Sequence, residues 1–470
     1  MPVPHRPTCR SAGLVAVLLT AIATLPAVAS ARPAYDGPGY RLPELGTPAS
    51  SPVNAVVEWN ENAADAALAS CIAPLDNPLH ESRMYAMTQV AVHDALNAID
   101  RRSEPYAYEG RARRASPQAA VAAAARSVLV PVIRQLPAPV PAECIGAGVA
   151  RVEEDYAAAL AAIPDGGRKA RGLELGRAAA AAILARRATD GADTPQQAFD
   201  YPQGTAPGEY RFTPGFPFAF APGWGEVTPF VLRDSAQYRT EPPYALTDRR
   251  YTADFDEVKR LGGDGVTTPS ARTPQQTETA LFWLESSPQQ WNRIARTLAA
   301  TRGLDPWKSA RLFGLVDLAL ADGYIGSFET KYHYRFWRPV TAIQAAADDG
   351  NQDTTPVPDW TPLAPTPPIP DQTSAHAVEG GAAAEVMRRF FGTDRLRFTT
   401  CSLTLPAGAR CSDATPVRRT YDSPTKAADE NALSRILIGF HFRKAVKDGL
   451  EQGRKIGSRT SRRFLLPTSR

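Results

Sequence analysis

The chain has 470 residues, with 53 lysines and arginines against 49 aspartates and glutamates, giving a formal net charge of +4. A balance this close to neutral excludes the strongly basic surface that is typical of nucleic-acid-binding proteins and of proteins held at membranes by polybasic patches. The length is enough for one large or two mid-sized domains.

The first 31 residues have the pattern of a secretory signal peptide. Arg6 and Arg10 precede an apolar run from residue 12 to residue 29, and small residues around position 29 fit a cleavage site. An uncleaved anchor is the alternative, but Pro26 favours cleavage. We therefore expect export to the periplasm or the extracellular space, and the loss of the two arginines lowers the net charge from +4 to +2. No later stretch has the ~18 uninterrupted apolar residues of a membrane helix.

Four cysteines remain after the signal peptide, namely Cys71, Cys144, Cys401 and Cys411. An even number in an exported chain indicates disulfides, and four cysteines allow three pairings. We favour Cys401–Cys411, which closes a short loop, and Cys71–Cys144, which would join two helices. A metal-thiolate site is the competing interpretation, and the lack of any C-x-x-C spacing argues against it.

Hydrophobic spacing predicts a mainly α protein built from two helical bundles. We expect an N-terminal arm at residues 32–53, an N-terminal bundle at 54–190, a connection at 191–246 and a C-terminal catalytic bundle at 247–470. Asp305 followed by Pro306 is a typical helix start. No run of alternating residues predicts a strand.

The connection at 191–246 is dense in proline, glycine and aromatic residues and has no sustained period. A stretch of this length without regular structure is uncommon in a compact domain unless it is functional. Its many aromatic residues favour a packed segment that covers the mouth of a site. The alternative is a disordered linker.

The first of three chemical motifs runs from Lys331 to Pro339 and reads KYHYRFWRP. Lys331 and Arg338 are seven residues apart, which in a helix places them on nearly the same face and about 10 Å apart along the axis. Pro339 disfavours helix at Arg338 and so predicts that this arginine lies at a helix end or in the following loop. Aromatic neighbours indicate partial burial, and buried cations need an anionic partner. A solvated basic face is the alternative.

The second motif, residues 370–376, reads PDQTSAH. We expect Ser374 to be the N-cap of a helix, where free N–H groups favour an anion. The Ser374 hydroxyl would add a hydrogen bond, and His376 would be close enough to act as an acid or base. An ordinary N-cap serine beside a surface histidine is the alternative.

The third motif, residues 434–441, reads SRILIGFH, and its pattern predicts an apolar helix. Ser434 and His441 would then share a face. Arg435 and His441 would be about 120° apart around the helix, so that Arg435 reaches around it or the local geometry is irregular. Gly439 would allow a close approach by a neighbouring helix or by the anion.

These three motifs, in this order, resemble those of the vanadium-dependent haloperoxidases, a family related in fold and motif to the type 2 phosphatidic acid phosphatases and bacterial acid phosphatases. The resemblance is best from Lys331 to His441 and looser over the N-terminal half. It implies a haloperoxidase-like fold of two helical bundles, vanadate as the cofactor, and hydrogen peroxide, a halide and a small organic acceptor as partners. It leaves room for a homodimer and implies no nucleic acid and no membrane.

By the same resemblance, His441 would bind vanadium, and His376 would be the acid–base group. Lys331 would polarise the peroxide toward halide attack. The oxygens of the anion would be held by Lys331, Arg338, Ser374, the N–H of Ala375, and Arg435. Two departures from the family stand out. Ala375 replaces the usual glycine between serine and histidine, and three residues separate Pro370 from Ser374 where a shorter spacing is usual.

Two alternatives share these residues. In the related phosphatases the histidine matching His441 attacks phosphorus, and the histidine matching His376 protonates the leaving oxygen. The length of the chain and its lack of membrane helices favour the haloperoxidase. The second alternative is a non-catalytic protein that binds an anion, for which the Ala375 substitution is the motivation.

Overall fold

The computed structural model describes residues 54–468, so the signal peptide expected at residues 1–31, the N-terminal arm expected at residues 32–53 and the last two residues lie outside the described part. The described residues contain thirteen α-helices. In chain order these are α1 (Ala55–Ala69), α2 (Pro78–Ile99), α3 (Pro117–Arg134), α4 (Ala142–Ala161), α5 (Gly167–Arg186), α6 (Arg249–Gly262), α7 (Pro274–Phe282), α8 (Ser287–Thr301), α9 (Pro306–Tyr334), α10 (Pro339–Gln344), α11 (Ala375–Phe391), α12 (Pro424–Leu437) and α13 (Arg443–Arg463).

Two pairs of short antiparallel strands supplement the helices. β1 (Gln197–Ala198) pairs with β2 (Ala219–Phe220), and β3 (Phe398–Cys401) pairs with β4 (Arg418–Tyr421). The expectation of no strands was therefore wrong in detail. Runs of two to four residues are too short to show an alternating pattern, and their partners lie about twenty residues away in sequence. The mainly α character was predicted correctly.

Two helices are buried almost all round and form the centre of the fold. α2 packs on α3, α5 and α9, and α9 packs in turn on α11 and α13. One hydrophobic core therefore runs from the first half of the chain into the second. Asp305 is the N-cap of α9, as expected, and accepts a hydrogen bond from the N–H of Lys308 at 3.0 Å. The proposed division into bundles at residues 190 and 246 stays a prediction.

α11 and α13 approach each other closely because α13 has glycine at every fourth position along the contact. A Cβ added to Gly449, Gly453 or Gly457 would lie 2.8, 2.0 or 2.5 Å from a backbone oxygen of Ser374 or α11. The N–H of Ser374 also donates to the carbonyl of Ala445 at 3.0 Å. The glycines of α13 therefore fix the position of the segment that carries Ser374 and His376.

The two predicted disulfides, Cys71–Cys144 and Cys401–Cys411, are both present, with Cα–Cα distances of 5.6 and 5.7 Å. The first joins the end of α1 to α4, and the second closes the loop that follows β3. Among residues 54–468, no helix is both long and apolar enough to cross a bilayer.

The connection is packed against the motifs instead of forming a disordered linker. The N–H of Tyr210 donates to the carbonyl of Arg335 at 2.7 Å, and the N–H of Trp337 donates to the carbonyl of Gly208 at 2.9 Å. The N–H of Phe220 donates to the carbonyl of Pro368 at 2.8 Å. The connection therefore bonds to the backbone within the first motif and just before the second.

Glu81 of α2 gives a prediction for stability. It is fully buried against α8 and α9, and burial raises the pKa of its carboxyl to about 8 from an ordinary 4.5. Between about pH 4.5 and pH 8 the folded state therefore keeps a proton that the unfolded state has lost. Because of this difference, the group lowers the free energy of unfolding as pH rises through that window. We expect Glu81→Gln to match the wild type in urea unfolding at pH 4.5 and to be more stable at pH 8, with a slope of up to about 1.4 kcal/mol per pH unit. A pH-independent difference between the two proteins would contradict this.

Candidate anion site

The first motif ends one helix and begins another. Lys331 lies in the last turn of α9, Arg335 takes a left-handed conformation at φ 47°, and Arg338 is the N-cap of α10. The prediction that Pro339 keeps Arg338 out of the helix is correct. The interpretation that Lys331 and Arg338 share one helix face is wrong, because the chain turns at Arg335. The turn brings both side chains toward the second motif.

Both cations of the first motif bind backbone carbonyls in or next to the other motifs. Lys331 Nζ donates to the carbonyls of Pro370 at 2.8 Å and Asp371 at 3.1 Å. Arg338 Nε donates to the carbonyl of Ile369 at 2.6 Å, and its Nη1 donates to the carbonyl of Phe440 at 2.8 Å. Three stretches that are distant in sequence are thereby held together.

The third motif is not one helix. α12 ends at Leu437, Gly439 has a φ of +87°, and His441 lies in the loop before α13. The expectation that Ser434 and His441 share a helix face was therefore wrong. A Cβ on Gly439 would lie 2.7 Å from the carbonyl oxygen of Gly262, so both the left-handed turn and the close approach require glycine. Because α12 ends between Arg435 and His441, the separation of about 120° expected for the two residues on one helix does not apply.

His441 is held between a carboxylate and a guanidinium. Its Nδ1 lies 2.8 Å from Asp371 Oδ1, and its Nε2 lies 2.9 Å from Arg338 Nη1. A carboxylate accepts the proton of Nδ1–H, which leaves the lone pair on Nε2. Nε2, the nitrogen that can bind a metal or attack phosphorus, is thus unprotonated, and Arg338 Nη1 lies beside the ring, since it is also 3.2 Å from Nδ1.

Asp371 is a residue of the candidate site that the sequence analysis missed. It was counted only as part of the spacer between Pro370 and Ser374. A carboxyl group inside a motif rich in cations and imidazoles was the available signal, because histidine ligands commonly donate their second N–H to a carboxylate.

The second motif begins α11 as predicted. Ser374 is the N-cap by its backbone, but its hydroxyl makes no capping hydrogen bond. The Ser374 Oγ atom is buried and has no hydrogen-bond partner among the described residues. Ala375, which supplies the first N–H of the helix, is 8% exposed. Buried hydroxyls normally have partners, so this hydroxyl is available for a ligand at the helix N-terminus.

His376 Nε2 lies 3.1 Å from the carbonyl oxygen of Glu285. A carbonyl can only accept, so Nε2 carries the proton and the lone pair lies on Nδ1. The carbonyl of His376 itself accepts a hydrogen bond from Asn431 Nδ2 at 3.2 Å. His376 is therefore fixed at both its backbone and its ring.

Arg435 completes the site. Its Nε donates to Ser434 Oγ at 2.9 Å, and its Nη2 donates to the carbonyl of Trp283 at 2.7 Å. These partners are neutral. Ser434 thus orients an arginine, a role different from the shared face with His441 that the sequence analysis gave it.

The cations and imidazoles share one electrostatic environment. Burial, and then the charges of Lys331, Arg338 and Arg435, lower the pKa values of both His376 and His441 well below the usual range. Burial also lowers the pKa of Arg338 to about 10 and that of Arg435 to about 9. It lowers the pKa of Lys331 well below its usual value. Five of the residues singled out from the sequence therefore interact with one another.

The charge balance of this cluster favours an anion. Lys331 is 0% exposed and Arg338 and Arg435 are each 1% exposed. Asp371 is the carboxylate beside them, and burial raises its pKa to about 7 although Arg338 and Lys331 oppose the rise. Three buried cations with one weakly acidic carboxyl are costly unless an anion joins them. The guanidinium and ammonium donors, the Ser374 hydroxyl and the helix N-terminus fit the oxygens of phosphate or vanadate.

Ser374→Ala should act in opposite directions in two measurements. Without an anion, removing an unpartnered buried hydroxyl should leave the free energy of unfolding unchanged or raise it by about 1 kcal/mol. With vanadate, the loss of one hydrogen bond should weaken binding about 5- to 10-fold. Urea unfolding and calorimetric titration with vanadate measure the two effects. Destabilisation of the anion-free protein together with unchanged vanadate affinity would show that the hydroxyl is structural.

The sequence matches a protein family and a curated protein. Residues 311–466, which contain all three motifs, match the family described as the VCPO second helical-bundle domain. The vanadium chloroperoxidase of Curvularia inaequalis is 28% identical over 289 residues, covering 49% of this chain and 47% of that protein. The chain thus spans about half the length of this curated relative.

Solved structures share the fold over most of the chain. The first bacterial vanadium-dependent iodoperoxidase superposes with a TM-score of 0.71 at 22% identity, covering 88% of this chain and 97% of that one. The apo form of a bacterial vanadium-dependent chloroperoxidase superposes with a TM-score of 0.67 at 16% identity, covering 84% of this chain and 95% of that one. At these identities the likeness concerns the fold, and the expected helical, haloperoxidase-like fold is confirmed.

Proposed function

We infer the function from a confirmed resemblance to the vanadium-dependent haloperoxidases, which combines the family match, the curated relative and the shared fold. We propose that the protein oxidises a halide with hydrogen peroxide and releases a hypohalous-acid-type halogenating species. The single observation that carries this proposal is the buried cluster of three cations whose charges act on His441.

The residues present fit vanadate as the cofactor. His441 Nε2 would be the metal ligand, and Lys331, Arg338 and Arg435 would balance the charge on the oxygens. The Ser374 hydroxyl and the Ala375 N–H at the start of α11 would add hydrogen bonds. When bound, vanadate would supply Lewis-acid activation of hydrogen peroxide, with no change in the oxidation state of vanadium.

The protein's own residues account for the proton balance. Hydrogen peroxide, a halide and one proton give hypohalous acid and water, so the site must move protons. The pKa of His376 lies well below its usual value because of burial and the nearby cations, and its ring is therefore neutral with the lone pair on Nδ1. His376 can accept a proton from hydrogen peroxide at Nδ1 and return it to a leaving oxygen. Lys331 is held by two carbonyls, and its charge is one of those that lower the pKa of His376.

A phosphatase is the second candidate, and one observation favours it. A histidine whose Nδ1–H is bound by Asp371 and whose Nε2 carries a lone pair is also suited to attack phosphorus. The same cations would stabilise the transition state of phosphoryl transfer. A non-catalytic anion-binding protein, kept as a third candidate, has no specific observation in its favour.

The two activities respond to vanadate in opposite ways. We expect vanadate to be required for peroxide-dependent bromination of a dye, measured beside the hydrolysis of p-nitrophenyl phosphate by the same protein. Bromination that saturates with vanadate supports the haloperoxidase. Hydrolysis that vanadate inhibits, without bromination, would assign the phosphatase, and no reaction in either assay would leave the anion-binding protein.

Asp371→Asn should weaken vanadate binding about 10- to 100-fold, because the second N–H of a histidine ligand then loses its carboxylate. Asp371→Glu should recover part of the affinity. Asp353→Asn changes an exposed aspartate eighteen residues earlier in the chain and is the matched control. Equal vanadate dissociation constants for Asp371→Asn and the control would remove Asp371 from the site.

We propose further that the protein is exported and acts on a small organic acceptor. The paired cysteines support an oxidising compartment. We retain the division into two bundles, and a homodimer as the assembly to test.

A further inference from the structure

A second cluster of arginines lines a cavity of about 320 Å³ at the other end of the catalytic helices. Its walls come from three elements, with Arg311 on α9, Arg388, Arg389 and Phe390 on α11, and Ser461 and Arg462 on α13. Side chains from three helices therefore converge on one concave space.

The cluster holds more positive than negative charge. Glu385 binds Arg388 with two hydrogen bonds of 2.9 Å and Arg389 with one of 2.5 Å. Arg311 Nε donates to the carbonyl of Leu465 at 2.6 Å, and its guanidinium lies 5.3 Å from the centre of the Phe390 ring. Four guanidinium groups against one carboxylate leave a net charge of +3.

Two of the four arginines keep donors free for a ligand. Arg311 is partly buried, and burial lowers its pKa with no carboxylate opposing that change. Within residues 54–468, neither the Nη atoms of Arg311 nor the side chain of Arg462, which lies in α13, has a hydrogen-bond partner. Freely solvated arginines would lie apart, whereas Arg311 and Arg462 line one cavity together with the Ser461 hydroxyl.

The cavity is distinct from the catalytic site. Arg311 and Lys331 are twenty residues apart on α9, which corresponds to about 30 Å. His376 and Arg388 are twelve residues apart on α11, or about 18 Å. A ligand in the cavity therefore does not touch the residues assigned to vanadate.

We propose that this cavity binds a small multivalent oxyanion of the phosphate or sulfate type. Guanidinium groups bind the oxygens of such anions in pairs, and a charge of two or more balances the excess positive charge. The volume suits a ligand of the size of pyrophosphate, and the concave shape formed by three helices favours a free small anion over a flat charged surface.

Calorimetric titration with pyrophosphate tests the proposal, using protein loaded with one equivalent of vanadate and freed of the excess, so that the first site is filled and the arginine cavity is empty. The wild type should bind one equivalent. Arg311→Gln and Arg462→Gln should each weaken binding about 10-fold, because each removes a charged hydrogen bond. Glu385→Gln should tighten binding several-fold, because it removes the internal competitor for Arg388 and Arg389. Sulfate in place of pyrophosphate tests whether two charged groups are needed.

Arg454→Gln is the matched control, because it lies on α13 two turns before Arg462, is 48% exposed and pairs with Asp429 outside the cavity. Its affinity for pyrophosphate should equal that of the wild type. Circular dichroism of Arg462→Gln, an exposed change, checks that the fold is retained. Absence of binding to the wild type, or equal binding by the Arg462 and Arg454 variants, would overturn the proposal. The titration is repeated with His441→Ala. Pyrophosphate affinity that is unchanged in this variant shows that the arginine cavity does not depend on the vanadate site.

Discussion

His441→Ala is expected to abolish vanadate-dependent bromination, with a loss of at least about 1000-fold. The substitution removes the imidazole whose Nε2 faces Arg338, and it leaves the carboxyl of Asp371 without its 2.8 Å partner. Three buried cations would remain to hold an anion by charge alone, without the bond that fixes it. We therefore expect vanadate to bind at least 10-fold more weakly and the rate at saturating vanadate to fall as well.

His333→Ala is the matched control for this substitution. His333 lies in the first motif, but it is exposed and contacts the ring of Tyr334. Its vanadate affinity and bromination rate should equal those of the wild type. If His441→Ala kept its bromination rate at saturating vanadate, His441 would not be the metal ligand.

Gly453→Ala is expected to lower the free energy of unfolding by about 1–3 kcal/mol. The added Cβ would lie 2.0 Å from the carbonyl oxygen of Val378 and 2.8 Å from the backbone nitrogen of Ala382, so α13 must move away from α11. Alanine is otherwise the better helix former by about 0.5–1 kcal/mol, and the cost of the clash must exceed that gain. Because α11 begins at the anion site, vanadate affinity should fall as well.

Gly146→Ala provides the control of opposite sign. Gly146 lies in α4, is exposed, and has no heavy atom within 4 Å of the added Cβ. We expect a gain of about 0.5–1 kcal/mol in urea unfolding and no change in vanadate affinity. Equal effects of the two substitutions would mean that the contact between α11 and α13 is looser than described.

The sequence predicted those parts of the site that depend on residue type and local backbone rules. Pro339 excluded Arg338 from the helix, and Asp305 with Pro306 marked the start of α9, because both effects act over a few residues. The disulfides followed from a short loop and an even number of cysteines. The order of the three motifs was sufficient to predict the family resemblance.

What the sequence could not give depends on contacts between distant segments. An apolar helical pattern continued through Gly439, whereas α12 ends at Leu437 and Gly439 takes a left-handed conformation where Gly262 approaches it. The role of Asp371 required the position of His441, which is 70 residues away in sequence. The arginines of the second cavity lie on three helices, and no spacing along the chain relates them.

The structure of the protein with bound vanadate, solved with the anomalous signal of vanadium, tests the central claim most directly. We predict vanadium bonded to His441 Nε2, with its oxygens within hydrogen-bond distance of Lys331, Arg338, Arg435 and Ser374. Vanadium found only in the arginine cavity, or anywhere else away from His441, would contradict the assignment.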